Sequence, residues 1–134
     1  MDIRTLIPQR EPIIMVDKIV NHVDEKTTTS LIVKPDNMFV EDGVFQSSGL
    51  IEHIAQSSAA RMGAQTIKEG SVPLLGYIAS IRNMTIRRLP KVGEIIFTDI
   101  IITNQINNII VIKGESKVNN IVISSCELKV FIEE

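Results

Sequence analysis

The sequence is poor in the residues that build metal centres, disulfides and base-stacking surfaces. One cysteine excludes an internal disulfide and a multi-cysteine metal site, and two histidines exclude a three-histidine site, so we expect no metal. Tryptophan is absent and tyrosine occurs once, which argues against nucleic-acid binding by stacking. With 14 basic and 16 acidic residues the formal net charge is −2, which argues against a general nucleic-acid partner and leaves room only for a local basic patch.

Long apolar runs are missing as well. None approaches the ~18 residues that a membrane-spanning helix needs, and the charged N-terminus lacks the apolar centre of a signal peptide. We therefore expect no membrane span and a cytoplasmic location. The length predicts a single domain over residues 1–134, and 44% hydrophobic against 22% charged residues is typical of a globular protein.

The order of apolar, polar and turn residues predicts an α+β protein. A short helical turn ends at Pro8, and a helix is expected over residues 49–68, with Ser47 or Ser48 as its N-cap and Gly70 at its end. The simplest packing is an antiparallel sheet of about six strands wrapped around this one long helix. The strands are predicted over residues 13–20, 27–33, 74–86, 95–103, 109–117 and 121–132.

Glu52 is the main candidate for chemistry. It is the only acidic residue between Asp42 and Glu69, and its neighbours are apolar. Burial favours the protonated carboxyl, which suits proton transfer near neutral pH. Gln56 lies one helical turn further on, where it can hydrogen-bond and orient Glu52. The alternative is a buried glutamate that caps the helix start or pairs with an arginine.

A basic run follows in the second half of the chain. Arg82, Arg87, Arg88 and Lys91 are four cations with no acidic residue between the first and the last. In a regular strand Arg82 and Arg88 share one face and Arg87 takes the other. The run is either a docking patch for an acidic partner or a solvated strand end.

Four segments resemble the hot-dog fold β-hydroxyacyl-acyl-carrier-protein dehydratases. Residues 7–18 are similar to the family's opening L-P-H-R-Y-P-F-L-L-V-D-R, and residues 50–56 to I-I-E-A-M-A-Q at the start of its central helix. Residues 75–88 resemble the third strand and its basic end, and residues 89–94 resemble P-V-x-P-G-D. The resemblance implies a hot-dog fold over nearly the whole chain, with Glu52 and Gln56 at the site.

One family motif is missing. The family carries G-H-F-P-G-H-P in the loop before the central helix, and its first histidine is catalytic. Here the loop over residues 37–49 is shorter and holds no histidine. The pattern is closer to the divergent short dehydratase-like proteins found with aryl-polyene and related pigment pathways. In the family the histidine removes the α-proton and the carboxylic acid helps the β-hydroxyl leave as water, so the resemblance implies a site without its base.

Loop and helix-start groups could replace part of the missing function. Asp42 or Glu41 could stand in as a base, although either can equally be a solvated turn residue. The backbone N–H of Gly49, at the helix N-terminus, could polarise a thioester carbonyl, and the alternative is ordinary helix capping.

The histidines and the cysteine are expected to have structural roles. Successive helical residues point about 100° apart, so His53 should not reach the substrate atom that Glu52 reaches. His22 lies at a hairpin end and reads as a surface residue. Cys126 lies in a strand with no partner base, which favours a structural thiol over a nucleophile.

The resemblance implies dehydration of a 3-hydroxyacyl group on acyl carrier protein to the trans-2-enoyl product. No cofactor is expected, because the phosphopantetheine arm belongs to the carrier; a coenzyme A thioester is the other possible substrate. The alternatives are a hot-dog thioesterase in which Glu52 activates water, and a non-catalytic subunit that binds acyl carrier protein or partners an active hot-dog protomer. The basic run would lie near the tunnel mouth, where the carrier docks.

We also expect an oligomer. One helix and about six strands leave a sheet edge and a helix face uncovered, which is costly for exposed apolar surface. In hot-dog proteins two sheets join edge to edge. The minimum unit is therefore a homodimer or a heterodimer with another hot-dog subunit.

Overall fold

The computed structural model describes residues 2–70 and 75–133, which form one long helix, a six-stranded sheet and a two-stranded ribbon. After a short helical turn at Ile3–Thr5, the elements in chain order are β1 Lys18–Val23, β2 Lys26–Ile32, β3 Val40–Glu41, β4 Val44–Phe45, α1 Ser47–Lys68, β5 Leu75–Ile86, β6 Ile95–Ile106, β7 Ile109–Val118 and β8 Ile121–Glu133.

The sheet has the order β1-β2-β6-β7-β8-β5, and every neighbouring pair is antiparallel. Helix α1 packs against its inner face, where Leu50 and Ile54 meet Ile100, Ile112 and Leu128 in one buried apolar cluster. The predicted α+β hot-dog architecture is confirmed. Among the described residues, no helix has the length and hydropathy to cross a membrane.

Helix α1 begins earlier than predicted. Its N-cap is Gln46, which is extended at φ −74° and ψ 160° and makes no side-chain capping bond, so the prediction of a Ser47 or Ser48 cap is wrong. The Gln46 side chain turns back instead and donates to the carbonyl of Val44 at 3.0 Å. The helix ends as predicted, with Gly70 in the left-handed region at φ 68°.

The first predicted strand, over residues 13–20, is wrong in its first half, because β1 begins only at Lys18. Met15 is buried, but its backbone does not join the sheet. Its N–H donates to the side chain of Gln56 and its carbonyl contacts the side chain of His53. Side chains of α1 therefore satisfy the backbone groups that a neighbouring strand would otherwise satisfy.

Strand β5 carries two register shifts, one between Ile78 and Ser80 and one between Arg82 and Thr85. Asn83, inside the second shift, has a φ of 54°. The step from Arg82 to Thr85 spans only two residues on β8, so later side chains move to the opposite face from the one that simple alternation predicts. Because Arg87 and Arg88 also lie beyond the end of β5, the regular alternation predicted for Arg82, Arg87 and Arg88 does not hold.

Candidate active site

Glu52 lies on α1, one turn after the helix begins, and is partly buried. Gln56 donates from Nε2 to Oε2 of Glu52 at 2.9 Å, so the orienting bond predicted from their spacing is present. Within residues 2–70 and 75–133, Oε1 of Glu52 has no hydrogen-bond partner. The geometry holds one carboxylate oxygen and leaves the other for a ligand.

The Gln56 amide is fixed in one orientation by the chain around it. Its Oε1 accepts from the N–H of Met15 at 2.7 Å, and its Nε2 donates to the carbonyl of Ile13 at 2.8 Å as well as to Glu52. The residue is 1% exposed. A backbone N–H can only donate and a backbone carbonyl can only accept, so the amide nitrogen must face Glu52.

His53 lies in the core, and both of its ring nitrogens have hydrogen-bond partners. Its Nδ1 lies 2.6 Å from the carbonyl of Met15, and its Nε2 lies 2.7 Å from Oγ1 of Thr98. The carbonyl can only accept, so Nδ1 carries the proton. Burial lowers the pKa of His53 to about 4, so the imidazole is neutral at physiological pH. With both ring nitrogens engaged, His53 cannot serve as a base beside Glu52.

Asp42 takes a turn role. It is exposed at the tip of the β3–β4 ribbon, where Asp42 and Gly43 have φ values of 51° and 75°. Positive φ at both central residues is what a two-residue type I′ hairpin turn requires, and Asp-Gly is a preferred pair there. Glu41, the last residue of β3, is also exposed. Neither carboxylate is bonded to Glu52 or Gln56, so the structure does not bring the proposed loop acids into the site.

Gly49 takes a packing role. Its N–H, expected to face a thioester carbonyl, donates to the carbonyl of Gln46 at 3.0 Å. The expected free donor is therefore engaged within the first turn of the helix. A Cβ at this position would lie 2.5 Å from Cβ of Phe39 and 2.7 Å from the ring of Phe45, so only glycine lets the two aromatic side chains approach.

His22 is half-buried and bonded, which corrects the expectation of a surface residue. Its Nδ1 lies 2.7 Å from Oγ1 of Thr27 and its Nε2 lies 3.0 Å from Oε1 of Gln65. Burial, together with the nearby guanidinium of Arg61, lowers the pKa of His22. Arg61 donates to Thr27 at 2.9 Å and to the carbonyl of Asp24 at 2.5 Å. Sequence reasoning missed this cluster, because Arg61 and Gln65 come from α1, far along the chain from the hairpin that carries His22 and Thr27.

The basic run is partly neutralised. Arg88 makes a bidentate pair with Glu94, at 2.8 and 2.9 Å, which raises the pKa of the Arg88 guanidinium and lowers that of the Glu94 carboxyl. Arg82 lies opposite Glu127 on the neighbouring strand. Arg87 and Lys91 are exposed, and neither forms a salt bridge in the described part of the chain.

Cys126 is buried opposite Gly114 on the neighbouring strand, and burial raises the pKa of its thiol. A protonated thiol in the core is a poor nucleophile. This environment agrees with the structural role expected for Cys126.

The fold and the Glu52–Gln56 pair place the chain in the hot-dog class, with a carboxyl group presented at the start of the central helix. A family model described as "ApeP-like: ApeP dehydratase" matches residues 1–134. The chain belongs to this ApeP-like dehydratase family. The resemblance to divergent hot-dog dehydratases that the sequence motifs indicated is thereby confirmed.

Curated relatives point the same way. A 3-hydroxyacyl-[acyl-carrier-protein] dehydratase FabZ of Xylella fastidiosa is 25% identical over 136 residues, which cover 94% of this chain and 83% of the relative. The FabZ of Vibrio atlanticus is 27% identical over 137 residues, which cover 96% of this chain and 89% of the relative.

Two solved structures share the fold. The dehydratase heterocomplex ApeI:P from Xenorhabdus doucetiae matches with a TM-score of 0.91 at 16% identity, over 100% of this chain and 92% of the other. A hypothetical thioesterase with coenzyme A from Streptococcus pneumoniae matches with a TM-score of 0.70 at 12% identity, over 87% and 84%. At these identities the likeness concerns the fold.

The low pKa of His53 predicts a stability that depends on pH. An unfolded histidine has a pKa of 6.5, so unfolding binds a proton at any pH between 6.5 and about 4. The neutral His53 therefore contributes fully to the free energy of unfolding above pH 6.5. This contribution decreases by on the order of 3 kcal/mol as the pH is lowered towards 4. Urea unfolding between pH 7 and pH 4 measures it. The difference in free energy of unfolding between wild type and His53→Gln should shrink as the pH falls over this range. A difference that does not change with pH would contradict a neutral, buried His53.

Proposed function

We propose that this chain dehydrates 3-hydroxyacyl thioesters carried on acyl carrier protein and releases trans-2-enoyl thioesters. Membership of the ApeP-like dehydratase family and the names of the curated FabZ relatives support this substrate class. The observation that carries the proposal is Glu52, whose Oε2 is held by Gln56 while Oε1 is left for a ligand. Fatty-acid or polyene-type biosynthesis is the setting in which such a product is used.

The reaction needs one proton removed and one delivered. The Glu52 carboxylate takes the proton from C2, and the resulting carboxyl group delivers it to the hydroxyl at C3. The C3–O bond then breaks with its electron pair, water leaves, and the C2–C3 double bond forms. Only protons move, so we propose that the chain needs no metal or redox cofactor and that the phosphopantetheine arm comes with the carrier.

A single carboxyl group makes this a slow dehydratase. The family pattern divides the two proton transfers between a histidine and a carboxylic acid, and each positioned group is worth roughly 10²–10⁴-fold in rate. In this chain His53 is engaged on both ring nitrogens and His22 is bonded to Thr27 and Gln65. Glu52 would therefore serve in both steps.

A second candidate is a subunit of a two-chain dehydratase whose other hot-dog subunit supplies the base. The absent loop histidine favours it, as does the structural match to ApeI:P, which is itself a dehydratase heterocomplex. A thioesterase in which Glu52 activates water is the remaining alternative. Dehydration by the chain alone, dehydration only with a second subunit, and hydrolysis give different outcomes in one mass-spectrometric assay.

The interface with another hot-dog subunit is proposed at β5. This strand lies at the edge of the sheet and pairs only with β8 within residues 2–70 and 75–133. Ile78, Ile81 and Ile86 are each 37–39% exposed, and their register partners on β8 place them on the inner face. An exposed edge twelve residues long with apolar side chains is costly unless another strand covers it.

The docking patch for the carrier is proposed around Arg87 and Lys91, with Arg82 further back along β5. Arg88 contributes less net charge because Glu94 neutralises it. These exposed cations would mainly raise the association rate of an acidic carrier protein. Their effect extends over a screening length of ~10 Å at 0.1 M salt.

The variant Glu52→Gln tests the proposed function. Glutamine keeps the size and the hydrogen bond but cannot exchange a proton at neutral pH, so we expect at least a 10²-fold loss of turnover with a similar melting temperature. The measurement is mass spectrometry of a 3-hydroxyacyl carrier protein. Loss of one water supports dehydration, whereas a free thiol on the carrier supports hydrolysis.

A matched control variant completes this assay. Glu41→Gln removes an exposed carboxylate from the preceding ribbon and should leave turnover unchanged. Turnover of Glu52→Gln within threefold of wild type would remove Glu52 from the mechanism. An unchanged substrate mass with the wild type alone, and loss of water only after a second hot-dog subunit is added, would favour the two-chain dehydratase.

The variant Ile78→Asp tests the β5 interface. A carboxylate on this face would be buried on assembly, so the variant should shift towards a 14.9 kDa monomer in light scattering while keeping its circular dichroism spectrum. Val20→Asp is the matched control, because Val20 is 49% exposed on the opposite edge strand, β1. A wild type that is monomeric at micromolar concentration would contradict the proposal.

The double variant Arg87→Glu/Lys91→Glu tests the carrier patch. Binding of acyl carrier protein should weaken, and the difference from wild type should grow as the salt concentration falls. Lys18→Glu/Lys68→Glu changes the net charge equally at exposed positions on β1 and at the end of α1. Equal effects of the two double variants would reduce the patch to a general charge effect.

A further inference from the structure

A continuous series of buried contacts links the inner face of the sheet to Glu52. Oγ of Ser116 lies 2.7 Å from Oγ1 of Thr98, which lies 2.7 Å from Nε2 of His53. Nδ1 of His53 lies 2.6 Å from the carbonyl of Met15. From the same residue, the N–H of Met15 donates to Gln56, whose Nε2 donates to Glu52.

The direction of each bond in this series is determined. The Met15 carbonyl accepts, so His53 donates from Nδ1 and, being neutral, accepts at Nε2. Thr98 therefore donates its hydroxyl proton to His53 and accepts from Ser116. Because Ser116, Thr98 and His53 are all 0% exposed, water cannot replace any of these partners without opening the core.

Met15 connects His53 to the site, because its carbonyl contacts His53 and its N–H donates to Gln56. Without the donor on His53, the Met15 carbonyl would be buried without a hydrogen-bond partner, which is unfavourable enough to drive the segment to move. The N–H of Met15 would move with it, and Gln56 would lose the donor that fixes its amide. The amide could then rotate and withdraw its N–H from Glu52.

We propose that His53 is a positioning residue for the reaction: it holds Met15, and through Met15 and Gln56 it orients the Glu52 carboxylate. It touches no substrate and transfers no proton. The inference rests on the proposed dehydratase function, in which Glu52 carries the chemistry.

Two amide substitutions separate the two contacts of His53. The nitrogen of asparagine lies as many bonds from Cα as Nδ1 of histidine does, so His53→Asn keeps a donor for Met15 and loses the contact with Thr98. The end of a glutamine side chain corresponds to Nε2, so His53→Gln keeps a partner for Thr98 and leaves Met15 without one. His53→Leu removes both contacts.

We expect the variants to differ in kcat while their KM values stay the same. His53→Asn should stay within about threefold of wild type, while His53→Gln and His53→Leu should lose about tenfold or more in kcat, because a misplaced catalytic group slows the chemical step. Ser57→Ala is the matched control, since Ser57 is also 0% exposed and its hydroxyl contacts Thr29 and the carbonyl of His53 but not Met15 or Gln56. It should lower the melting temperature without lowering kcat.

A second readout does not depend on activity. Hydrogen exchange of the Gln56 side-chain amide, followed by NMR, should be slow in wild type and His53→Asn and at least tenfold faster in His53→Gln and His53→Leu. Equal exchange in all variants, or kcat losses that follow the melting temperature alone, would overturn the proposal. If wild type dehydrates no substrate, the proposed function fails, and the amide exchange still decides whether His53 positions Gln56.

Discussion

The hydrogen bonds of the Gln56 amide are the interaction on which the rest of the site depends. One buried side chain binds the segment before β1 at Ile13 and Met15 and at the same time holds Glu52. A buried amide is costly when it is not satisfied, so these bonds fix both the rotation of the helix and the course of the segment that crosses it. The position of the carboxyl group that defines the site follows from this packing requirement.

Much of the fold could be predicted from the sequence, because β-branched residues are concentrated in the strands and a long run of helix-forming residues lies between them. The relation of Glu52 to Gln56 could be predicted too, since residues four apart share a helix face. The course of the chain at Met15 could not, because its partners are side chains about 40 residues away in sequence. The register shift at Asn83 had no clear local signal either, and it interrupts the alternation from which the positions of the later arginines were predicted.

The chain combines a well-held acid with features that are incomplete in a single copy. Both histidines are engaged in hydrogen bonds, the loop acids face solvent, and β5 presents an unpaired apolar edge within the described residues. These observations are consistent with the proposed function, in which Glu52 supplies the carboxyl group and a partner hot-dog subunit and an acidic carrier supply the rest. The pair of Arg88 with Glu94 leaves Arg87 and Lys91 as the main cations of the proposed carrier patch.

A double-mutant cycle on dehydration turnover tests the central claim most directly, namely that Gln56 acts by orienting Glu52. The cycle compares wild type, Gln56→Leu, Glu52→Gln and the double variant with one 3-hydroxyacyl carrier protein. If the two residues act as a unit, Gln56→Leu lowers kcat strongly in the wild-type background and has little further effect once Glu52 is glutamine. Equal losses in both backgrounds would contradict the account, because Gln56 would then act independently of the Glu52 carboxylate.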